Sequence, residues 1–347
     1  MAVEVPDHQE LFEHFRCQAD PGQAQLRIDK FLFNRLEGIS RSRIQTAANA
    51  GNILVNDAPA KPNYRVKPGD TISIVLPHPP RKTELLPEEI PLDIVFEDDD
   101  VIVVNKPAGM VVHPGHGNYT GTLVNALMFH LGDQPLFSSG EERPGLVHRI
   151  DKNTSGLLVI AKHELALNVL ANQFFRKTTS RTYHALVWGD MESARGTITG
   201  HVGRNPRNRK QMYVFPDGSQ GKEAITHFRV LERLGYVTLV ECRLETGRTH
   251  QIRVHFQYSG HPLFNDPEYG GDRILRGTTF TRYKQFVQNC FSLLPGQALH
   301  ARTLGFKHPS TGKEVCFEAP LPEGFAQVVL KWQQYIRGRK DDAGGMI

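Results

Sequence analysis

The spacing of apolar residues predicts a small amino-terminal module of two helices and a short sheet. Apolar side chains recur at helical spacing from Ile28 to Leu36, and Gly38 ends that run. Ser40 stands where the N-cap of a second helix belongs, and Gly51 is placed to cap its carboxyl end. The runs NILVN and TISIVL follow, separated by the turn-rich KPNYRVKPGD, and they have the composition of short strands.

A proline-rich segment separates this module from the rest of the chain. The stretch PHPPRKTELLPEEIP contains five prolines and little apolar periodicity, which is typical of a linker. We therefore divide the chain into a flexible extension (1–22), the module (23–76), the linker (77–91), a larger domain (92–338) and a flexible tail (339–347). Two domains suit 347 residues, because single domains usually have roughly 100 to 200.

The larger domain is predicted to be rich in β-structure. DIVFEDDDVIVVNKP indicates a hairpin, and the later strand candidates are GLLVIAK, TYHALVWG, GTITGHV, AITHFRVLE, YVTLVECRLE, ALHARTLGF and VCFEA. Helical periodicity occurs in TLVNALMFHL, between Lys162 and Arg176, and between Phe325 and Ile336. The predicted fold class is α+β, with a large mixed or antiparallel sheet.

The charge pattern indicates two local basic surfaces. Lys and Arg total 41 against 37 acidic residues, and a net charge of +4 does not by itself establish a nucleic-acid partner. The clustered cations are Arg27, Lys30, Arg41 and Arg43 in the module, and Arg204, Arg207, Arg209 and Lys210 in the segment GRNPRNRKQ. Basic residues in the first turn of a helix oppose its dipole, so Arg41 and Arg43 are better explained by an external anion.

Several classes of protein are disfavoured. The start MAVEVPDHQELFEHF is neither a secretory signal nor a transit peptide, and no apolar run approaches the ~20 residues of a membrane helix. The four cysteines form no CxxC pair, which argues against zinc-ribbon and thioredoxin-like sites. A metal hypothesis rests on His113, His116, His250, His255 and His261, but no HExxH motif or carboxylate set accompanies them, so no metal site is expected.

The most unusual stretch is GLVHRIDKNTSGLLVIAK, residues 145–162. Its Asp, Asn, Thr, Ser and Gly residues predict a polar loop that enters an apolar strand between Leu157 and Ala161. Asp151 is therefore a carboxylate on a loop that a rigid strand holds. From the residues alone, Asp151 is either a functional carboxylate or an ordinary residue of an Asx-turn.

HRIDKNTSGLLVIAK resembles the signature of the RluA-type pseudouridine synthase family, except that Ile150 replaces the commoner Leu. Five more blocks resemble that family in the same order: NKPAGMVVHPGHGN, RTYHALV, GKEAITHFRV, LETGRTHQIRVH and QALHA. The run from LRIDKFL through SRSRIQ to PGDTISI resembles the αL RNA-binding module of the ribosomal protein S-four type. The resemblance implies a small αL module before a larger domain with a mixed, mainly antiparallel sheet flanked by helices and loops. The pairing is similar to RluD-type enzymes of the large ribosomal subunit.

The resemblance implies catalytic roles for three residues. Such an enzyme flips uridine from its stack, breaks the glycosidic bond and joins C5 to the sugar. Asp151 is implied to attack the sugar carbon or to accept a sugar proton, and both routes stay open. Arg253 is implied as its cation, on the first turn of a helix capped by Thr249, although a strand also fits. Tyr183 is implied to stack on the flipped uracil and to help remove the C5 proton; on its pattern alone it is a core aromatic.

The resemblance also implies an RNA-binding set. Arg149 would enter the gap that the flipped base leaves, and the alternative is an ion pair with Glu141 or Glu142. Arg248 would contact phosphate or loop groups. The basic cluster at 204–210 would bind phosphates at the family's RNA-facing insertion, and the cations of the module would recognise the shape of folded RNA.

The predicted function is isomerisation of specific uridines to pseudouridine in 23S ribosomal RNA of the large subunit, without a metal or organic cofactor. The expected enzyme is a cytoplasmic monomer whose partner is ribosomal RNA and not a membrane. One alternative is a noncatalytic RNA-binding assembly factor, against which the intact Asp151, Tyr183 and Arg253 argue. Another is a metal-dependent RNA hydrolase.

Overall fold

The computed structural model describes residues 11–36, 39–77, 85–115, 117–138, 144–208 and 211–344, with only the backbone beyond residue 338. Within these limits the chain forms two compact units. The first comprises Met1–Glu84, Gly115–Gly117 and Arg204–Gln211, and the second comprises Leu85–Pro114, Asn118–Gly203 and Met212–Ile347. Among the described helices, none combines the length and apolar character that crossing a bilayer requires.

The first unit is a four-stranded sheet with two helices. Its elements are β1 (Phe12–Gln18), α1 (Ile28–Phe33), α2 (Arg41–Asn49), β2 (Ile53–Val55), β3 (Ala58–Pro59) and β4 (Thr71–Leu76). The strands lie in the order β1-β4-β2-β3. As predicted, the Ser40 hydroxyl caps α2 by accepting a hydrogen bond from the Arg43 amide, and Gly51 follows the helix with a left-handed φ of +77°.

Strand β1 corrects the prediction that residues 1–22 are a flexible extension. It pairs antiparallel with β4, although the described part of the extension starts only at residue 11. A bulge between Glu13 and Phe15 shifts the register. A bulge interrupts the alternation of buried and exposed residues that identifies a strand in a sequence. The pattern of FEHFRCQ therefore does not predict a strand.

The second unit is built on one large sheet. Its strands are β5 (Ile94–Glu97), β6 (Val101–Lys106), β7 (Ser155–Ala161), β8 (Ser180–Trp188), β9 (Arg195–Arg204), β10 (Met212–Phe215), β11 (Lys222–Arg233), β12 (Val237–Leu244), β13 (Leu299–Lys307) and β14 (Glu314–Glu318). They lie in the order β10-β9-β11-β12-β8-β13-β7-β6-β5, and β14 pairs with β13. Strands β13 and β7 run parallel, whereas β6–β7, β8–β13, β8–β12 and β11–β12 are antiparallel. The predicted mixed, mainly antiparallel sheet is confirmed.

Helices accompany this sheet. They are α3 (Leu123–His130), α4 (Pro135–Ser138), α5 (Glu164–Phe175), α6 (Gln251–Tyr258), α7 (Thr281–Phe291) and α8 (Glu323–Gly344). Helices α3, α5 and α8 were predicted, whereas α7 was missed; its N-cap, Phe280, makes no side-chain capping hydrogen bond. The backbone of α8 continues to Gly344, so the helix enters the stretch 339–347 that was expected to be a flexible tail.

The expected linker lies partly in the second unit. Residues 78–84 lie outside the described residues, and residues 85–91 contain no helix or strand. The Glu88 amide donates to the Asn125 carbonyl at 3.0 Å, and Asn125 Nδ2 donates to the Leu86 carbonyl at 2.8 Å. These hydrogen bonds tie the end of the linker to α3.

Strand β7 is buried on both faces. Leu158 and Ile160 belong to the apolar core on one side of the sheet, and Leu157 and Val159 belong to the core on the other. A strand that is packed on both faces cannot shift its register without disrupting the close packing of both cores. It therefore provides a rigid base for the polar loop that precedes it.

Candidate active site

Asp151 lies in the loop that enters β7. The Thr154 amide donates to the main-chain carbonyl of Asp151 at 3.1 Å, and the Lys152 carbonyl accepts from the Gly109 amide at 2.9 Å. Among the described residues, the carboxylate of Asp151 pairs with Arg253 and not with an amide of its own loop. The Asx-turn alternative therefore does not describe this side chain.

Gly156 permits a close approach between β7 and β13. Its φ is +113°, and a Cβ atom there would lie 2.3 Å from the carbonyl oxygen of Ala301. Only glycine combines this φ with the missing Cβ. One residue earlier, the Ser155 hydroxyl lies 2.9 Å from Nδ1 of the buried His300 on β13. The loop that carries Asp151 is thus fixed to the neighbouring strand.

Arg253 is buried on α6 and is surrounded by three carboxylates. Its Nε and Nη2 donate to the two oxygens of the fully buried Asp266 at 2.7 and 2.9 Å. Nη2 also donates to Glu268 at 2.7 Å, and Nη1 donates to Asp151 at 3.2 Å. A bidentate pair fixes the plane of a guanidinium, so the group that faces Asp151 has a defined orientation.

The charges around Arg253 keep it protonated. Burial acts to lower its pKa, but the hydrogen bonds and charge of Asp266, and the charges of Asp151 and Glu268, raise the pKa above its usual value. The carboxylate of Asp151 is 20% exposed, whereas its partner is almost fully buried. The arrangement exposes the carboxylates of Asp151 and Glu268 to solvent and keeps their cation inside.

Helix α6 begins differently from the prediction. Its N-cap is His250, which has a left-handed φ of +56°, and not Thr249. His250 Nδ1 lies 2.9 Å from the Tyr269 hydroxyl, and Nε2 lies 3.8 Å from Asp151. Burial lowers the pKa of His250, against the charge of Asp151, so the imidazole is neutral beside the carboxylate.

A second buried cation, Lys106, supports the same loop. Its Nζ donates to the carbonyls of Pro107 and Met110 at 2.8 Å and of Lys152 at 3.1 Å. Burial lowers the pKa of Lys106 to about 7, and the nearby charge of Asp151 opposes this shift. The contact with the Lys152 carbonyl fixes the residue that follows Asp151.

One cleft of about 560 Å³ brings the predicted catalytic residues together. Asp151 from the loop, Tyr183 from β8 and Arg253 from α6 all line it, as do Arg149 and Arg248. Tyr183 is also buried against the core, as its pattern alone predicts. Burial raises the pKa of Tyr183; the charge of Arg181 lowers it and that of Asp151 raises it. The hydroxyl is therefore protonated near neutral pH.

The cations of the module are arranged around an internal carboxylate. Asp29 is fully buried, Arg41 Nη2 lies 2.8 Å from it and Arg27 Nε lies 3.2 Å from it. Arg41 therefore has an internal anion, which corrects the inference that an external anion is the better explanation of its position. Lys30 and Arg43 are exposed on the same unit.

The remaining RNA-binding candidates are only partly described. Arg204 and Arg207 are exposed, and Arg209 and Lys210 lie outside the described residues. Arg149 is exposed at the cleft, and its alternative partners, Glu141 and Glu142, also lie outside the described residues. Arg248 lies at the cleft and uses its Nε to donate to the Glu223 carbonyl at 3.0 Å.

The acidic partners of Arg253 were not predicted. Asp266 and Glu268 lie in FNDPEYG, which reads as a turn because of its Asn-Asp-Pro sequence. The amides of Glu268 and Tyr269 do donate to Asp266, at 3.1 and 3.3 Å, as in a turn. In the sequence, the only feature that points to these partners is an acidic pair that follows the candidate catalytic Arg253.

The histidines considered for metal binding do not form a cluster within the described residues. His255 Nδ1 lies 2.9 Å from the Thr226 hydroxyl, and His261 Nδ1 lies 2.8 Å from the Trp188 carbonyl. His116 is outside the described residues. Within the part of the chain that the structure describes, the one group with ligand-like spacing is Asp98, Asp100 and His308. His308 Nε2 already lies 2.7 Å from Asp98, and this group does not line the cleft.

The sequence is similar to known proteins over most of its length. The family model described as RNA pseudouridylate synthase matches residues 100–258, and the S4 domain model matches residues 26–72. An uncharacterized RNA pseudouridine synthase of Bacillus subtilis (strain 168) is 47% identical over 311 residues, covering 90% of this chain and 95% of that protein. Ribosomal large subunit pseudouridine synthase D of Zymomonas mobilis is 43% identical over 308 residues, covering 86% of this chain and 90% of that protein.

A solved structure shares the fold. Human RNA Pseudouridylate Synthase Domain Containing 1 superposes with a TM-score of 0.51 at 26% identity, covering 74% of this chain and 97% of that chain. The matched residues 100–258 contain Asp151, Tyr183 and Arg253.

Proposed function

The chain belongs to the RNA pseudouridine synthase family, and from this premise we propose that it isomerises specific uridines in 23S ribosomal RNA of the large subunit. The similarity to proteins named ribosomal large subunit pseudouridine synthase D, over most of both chains, supports this substrate. The S4 domain supports binding of a folded RNA. The proposal places the enzyme in the cytoplasm as a monomer.

The pair of Asp151 and Arg253 in the cleft carries the chemical part of the proposal. A flipped uridine enters the cleft, and the ionised Asp151 either attacks C1′ or accepts a proton from the sugar. The bond between N1 and C1′ breaks, the uracil turns, and C5 bonds to C1′. The C5 proton is lost and N1 gains a proton, so the product is an isomer of the substrate.

Arg253 acts by orienting the Asp151 carboxylate. Nε and Nη2 of Arg253 both donate to Asp266. Nη1 is left to donate to Asp151, at 3.2 Å. Three hydrogen bonds to Asp266 and Glu268 fix the guanidinium, which in turn keeps the Asp151 carboxylate near the geometry in which proximity lowers a barrier.

Tyr183 provides an aromatic surface for the uracil. Its raised pKa favours a neutral phenol, which suits stacking better than proton removal as a tyrosinate. Arg149, exposed at the same cleft, occupies the gap in the RNA stack, where its planar guanidinium both stacks and donates hydrogen bonds. Arg248 contacts a phosphate at the cleft.

RNA affinity comes from the basic surfaces. Arg27, Lys30, Arg41 and Arg43 of the module neutralise phosphates, and so do the cations of the segment 204–210. Phosphate contacts position the enzyme without reading a base.

Mapping of pseudouridines in ribosomal and transfer RNA from a deletion strain tests the substrate. We expect specific pseudouridines to disappear from 23S RNA and to return when the wild-type gene is restored. Loss of transfer RNA sites with a complete 23S pattern would contradict the proposal.

A further inference from the structure

The cleft has an aromatic edge that the proposed chemistry does not use. Phe174, Phe175 and Lys177 at the end of α5 line the cleft, together with Arg181 at the start of β8. Phe175 is 85% exposed, more than any other large apolar side chain in the described part of the chain. Single exposed apolar residues are common on protein surfaces, so the neighbours of Phe175 decide whether it has a role.

The two adjacent phenylalanines have different surroundings. The ring of Phe174 is stacked on His148, with centroids 4.4 Å apart and an interplanar angle of 19°. The guanidinium carbon of Arg181 lies 5.2 Å from the centroid of Phe174. Phe174 therefore fixes the end of the helix, and Phe175 presents its ring to solvent at the rim of the cleft.

Arg181 is a cation at this edge of the cleft. Among the described residues, no carboxylate or carbonyl accepts a hydrogen bond from its side chain, and its Nε is buried without a partner. The neighbouring His148 is neutral, because burial and the charge of Arg181 lower its pKa to about 3. A partly buried guanidinium that lines a cleft and has no counter-ion among the described residues is suited to a ligand phosphate.

We infer that Phe175, Lys177 and Arg181 form a subsite for the RNA nucleotide next to the reacting uridine. The base of that nucleotide stacks on Phe175, and the phosphate that joins it to the uridine contacts Arg181 and Lys177. The inference rests on the proposed function, since it needs an RNA uridine in the cleft. Flipping a uridine removes a stacking partner from its neighbours, and an exposed aromatic ring replaces it without regard to base identity.

A tryptophan at position 175 reports on this stacking directly. Trp188 and Trp332 are both buried, so the Phe175→Trp variant carries the one tryptophan that a base can reach within the described residues. We expect its emission to be quenched by a transcript of the 23S RNA domain that contains the mapped uridine. The quench should disappear when one neighbour of that uridine is abasic and persist when the other neighbour is. The matched control is Leu165→Trp, on the same helix, 66% exposed and outside the cleft.

Kinetics of tritium release from C5-labelled uridine in the same transcript complete the test. Because stacking on an aromatic ring contributes about 1–3 kcal/mol per base, Phe175→Ala should raise KM roughly 5- to 150-fold with little change in kcat. Leu165→Ala should leave both unchanged. Equal quenching by all transcripts, or a normal KM for Phe175→Ala, would overturn the subsite. Absence of release by the wild-type enzyme would instead refute the proposed function.

Discussion

Two ionic clusters, one in each unit of the molecule, are built with opposite polarity. In the second unit, the arginine-centred cluster places Arg253 inside three carboxylates, with Asp151 the member at the cleft. In the first unit, the aspartate-centred cluster places the buried Asp29 inside two arginines, each 48% exposed. The outward group is an anion in the first case and a cation in the second.

The sign of the exposed charge indicates what each cluster is suited to do. An inward cation with an outward carboxylate suits chemistry on a neutral base and sugar, because the carboxylate is the reactive group. An inward carboxylate with outward cations suits phosphate binding, because the guanidinium groups keep their solvent-facing donors. In each cluster the buried member orders the exposed members.

Replacement of Arg253 should have the largest effect on the free energy of unfolding. Arg253→Met leaves the buried Asp266 without its cation, and breaking a buried pair in this way costs about 3–5 kcal/mol. Arg253→Lys keeps the charge but cannot form the bidentate hydrogen bonds to Asp266. This variant should be more stable than Arg253→Met, so its activity can be measured in a folded protein. We expect tritium release to fall by at least ~100-fold for Arg253→Lys. Urea unfolding and a tritium assay on both variants check this; near-normal turnover of the lysine variant would contradict the orienting role.

Replacement of Asp29 should cost less, although the side chain is fully buried. In Asp29→Asn the two arginines remain half-exposed and hydrated, so the loss is that of charge-assisted hydrogen bonds, about 1–3 kcal/mol. Urea unfolding followed by circular dichroism measures the difference. A destabilisation as large as that of Arg253→Met would contradict the expected difference between the two clusters. It would mean that leaving the exposed arginines unpaired costs as much free energy as leaving a buried carboxylate unpaired.

The two units should also lose stability in different pH ranges. Burial lowers the pKa of His300 to about 4, so its contribution is present above the unfolded value of 6.5 and is lost as pH falls from 6.5 to about 4. Burial raises the pKa of Asp29, but hydrogen bonds from Gln45, Arg41 and Arg27 outweigh it and lower the pKa to about 2. The contribution of Asp29 is present above its unfolded pKa of 3.8 and is lost only as pH falls from there to about 2.

The histidine effect is measurable at pH 5. For His300 alone, the expected loss between pH 7.5 and pH 5 is about 2 kcal/mol. Urea unfolding followed by the fluorescence of Trp188 and Trp332 at these two values measures the loss in the second unit. His300→Gln should show a smaller difference between the two values than the wild type, whatever its overall stability. An equal difference would show that His300 is not the titrating group.

The smallest expected effect is on the salt dependence of RNA binding. If Arg41 still contacts a phosphate while paired with Asp29, Arg41→Gln should reduce the slope of log K against log[salt] by about 1. Arg43→Gln is the matched control on the same turn, without the contact to Asp29. An unchanged slope for Arg41→Gln alone would assign Arg41 to the structure of the module and not to RNA.

Local patterns predicted most elements, because caps and apolar periodicity act over a few residues. The cap at Ser40 and helices α3, α5 and α8 are examples. Strand β1 escaped because its bulge interrupts the alternation, and His250 replaced Thr249 as the cap of α6 because surrounding contacts hold it in a left-handed conformation.

The site was predicted less completely than the fold. The family motif supplied Asp151 and Arg253, and the structure brings them within 3.2 Å. Asp266 and Glu268 could not be predicted, since their role depends on a turn folding back onto α6. The hydrogen bond from Lys106 to the Lys152 carbonyl likewise joins residues that are distant in the sequence, and a local pattern cannot predict such a contact.

The Asp151→Asn variant tests whether the carboxylate of Asp151 performs the isomerisation. The amide keeps the size of the side chain but is too weak a base or nucleophile. We predict that tritium release from C5-labelled uridine in ribosomal RNA vanishes, while RNA affinity and the thermal melt of the variant stay close to those of the wild type. Substantial release from the folded Asn variant would contradict the account.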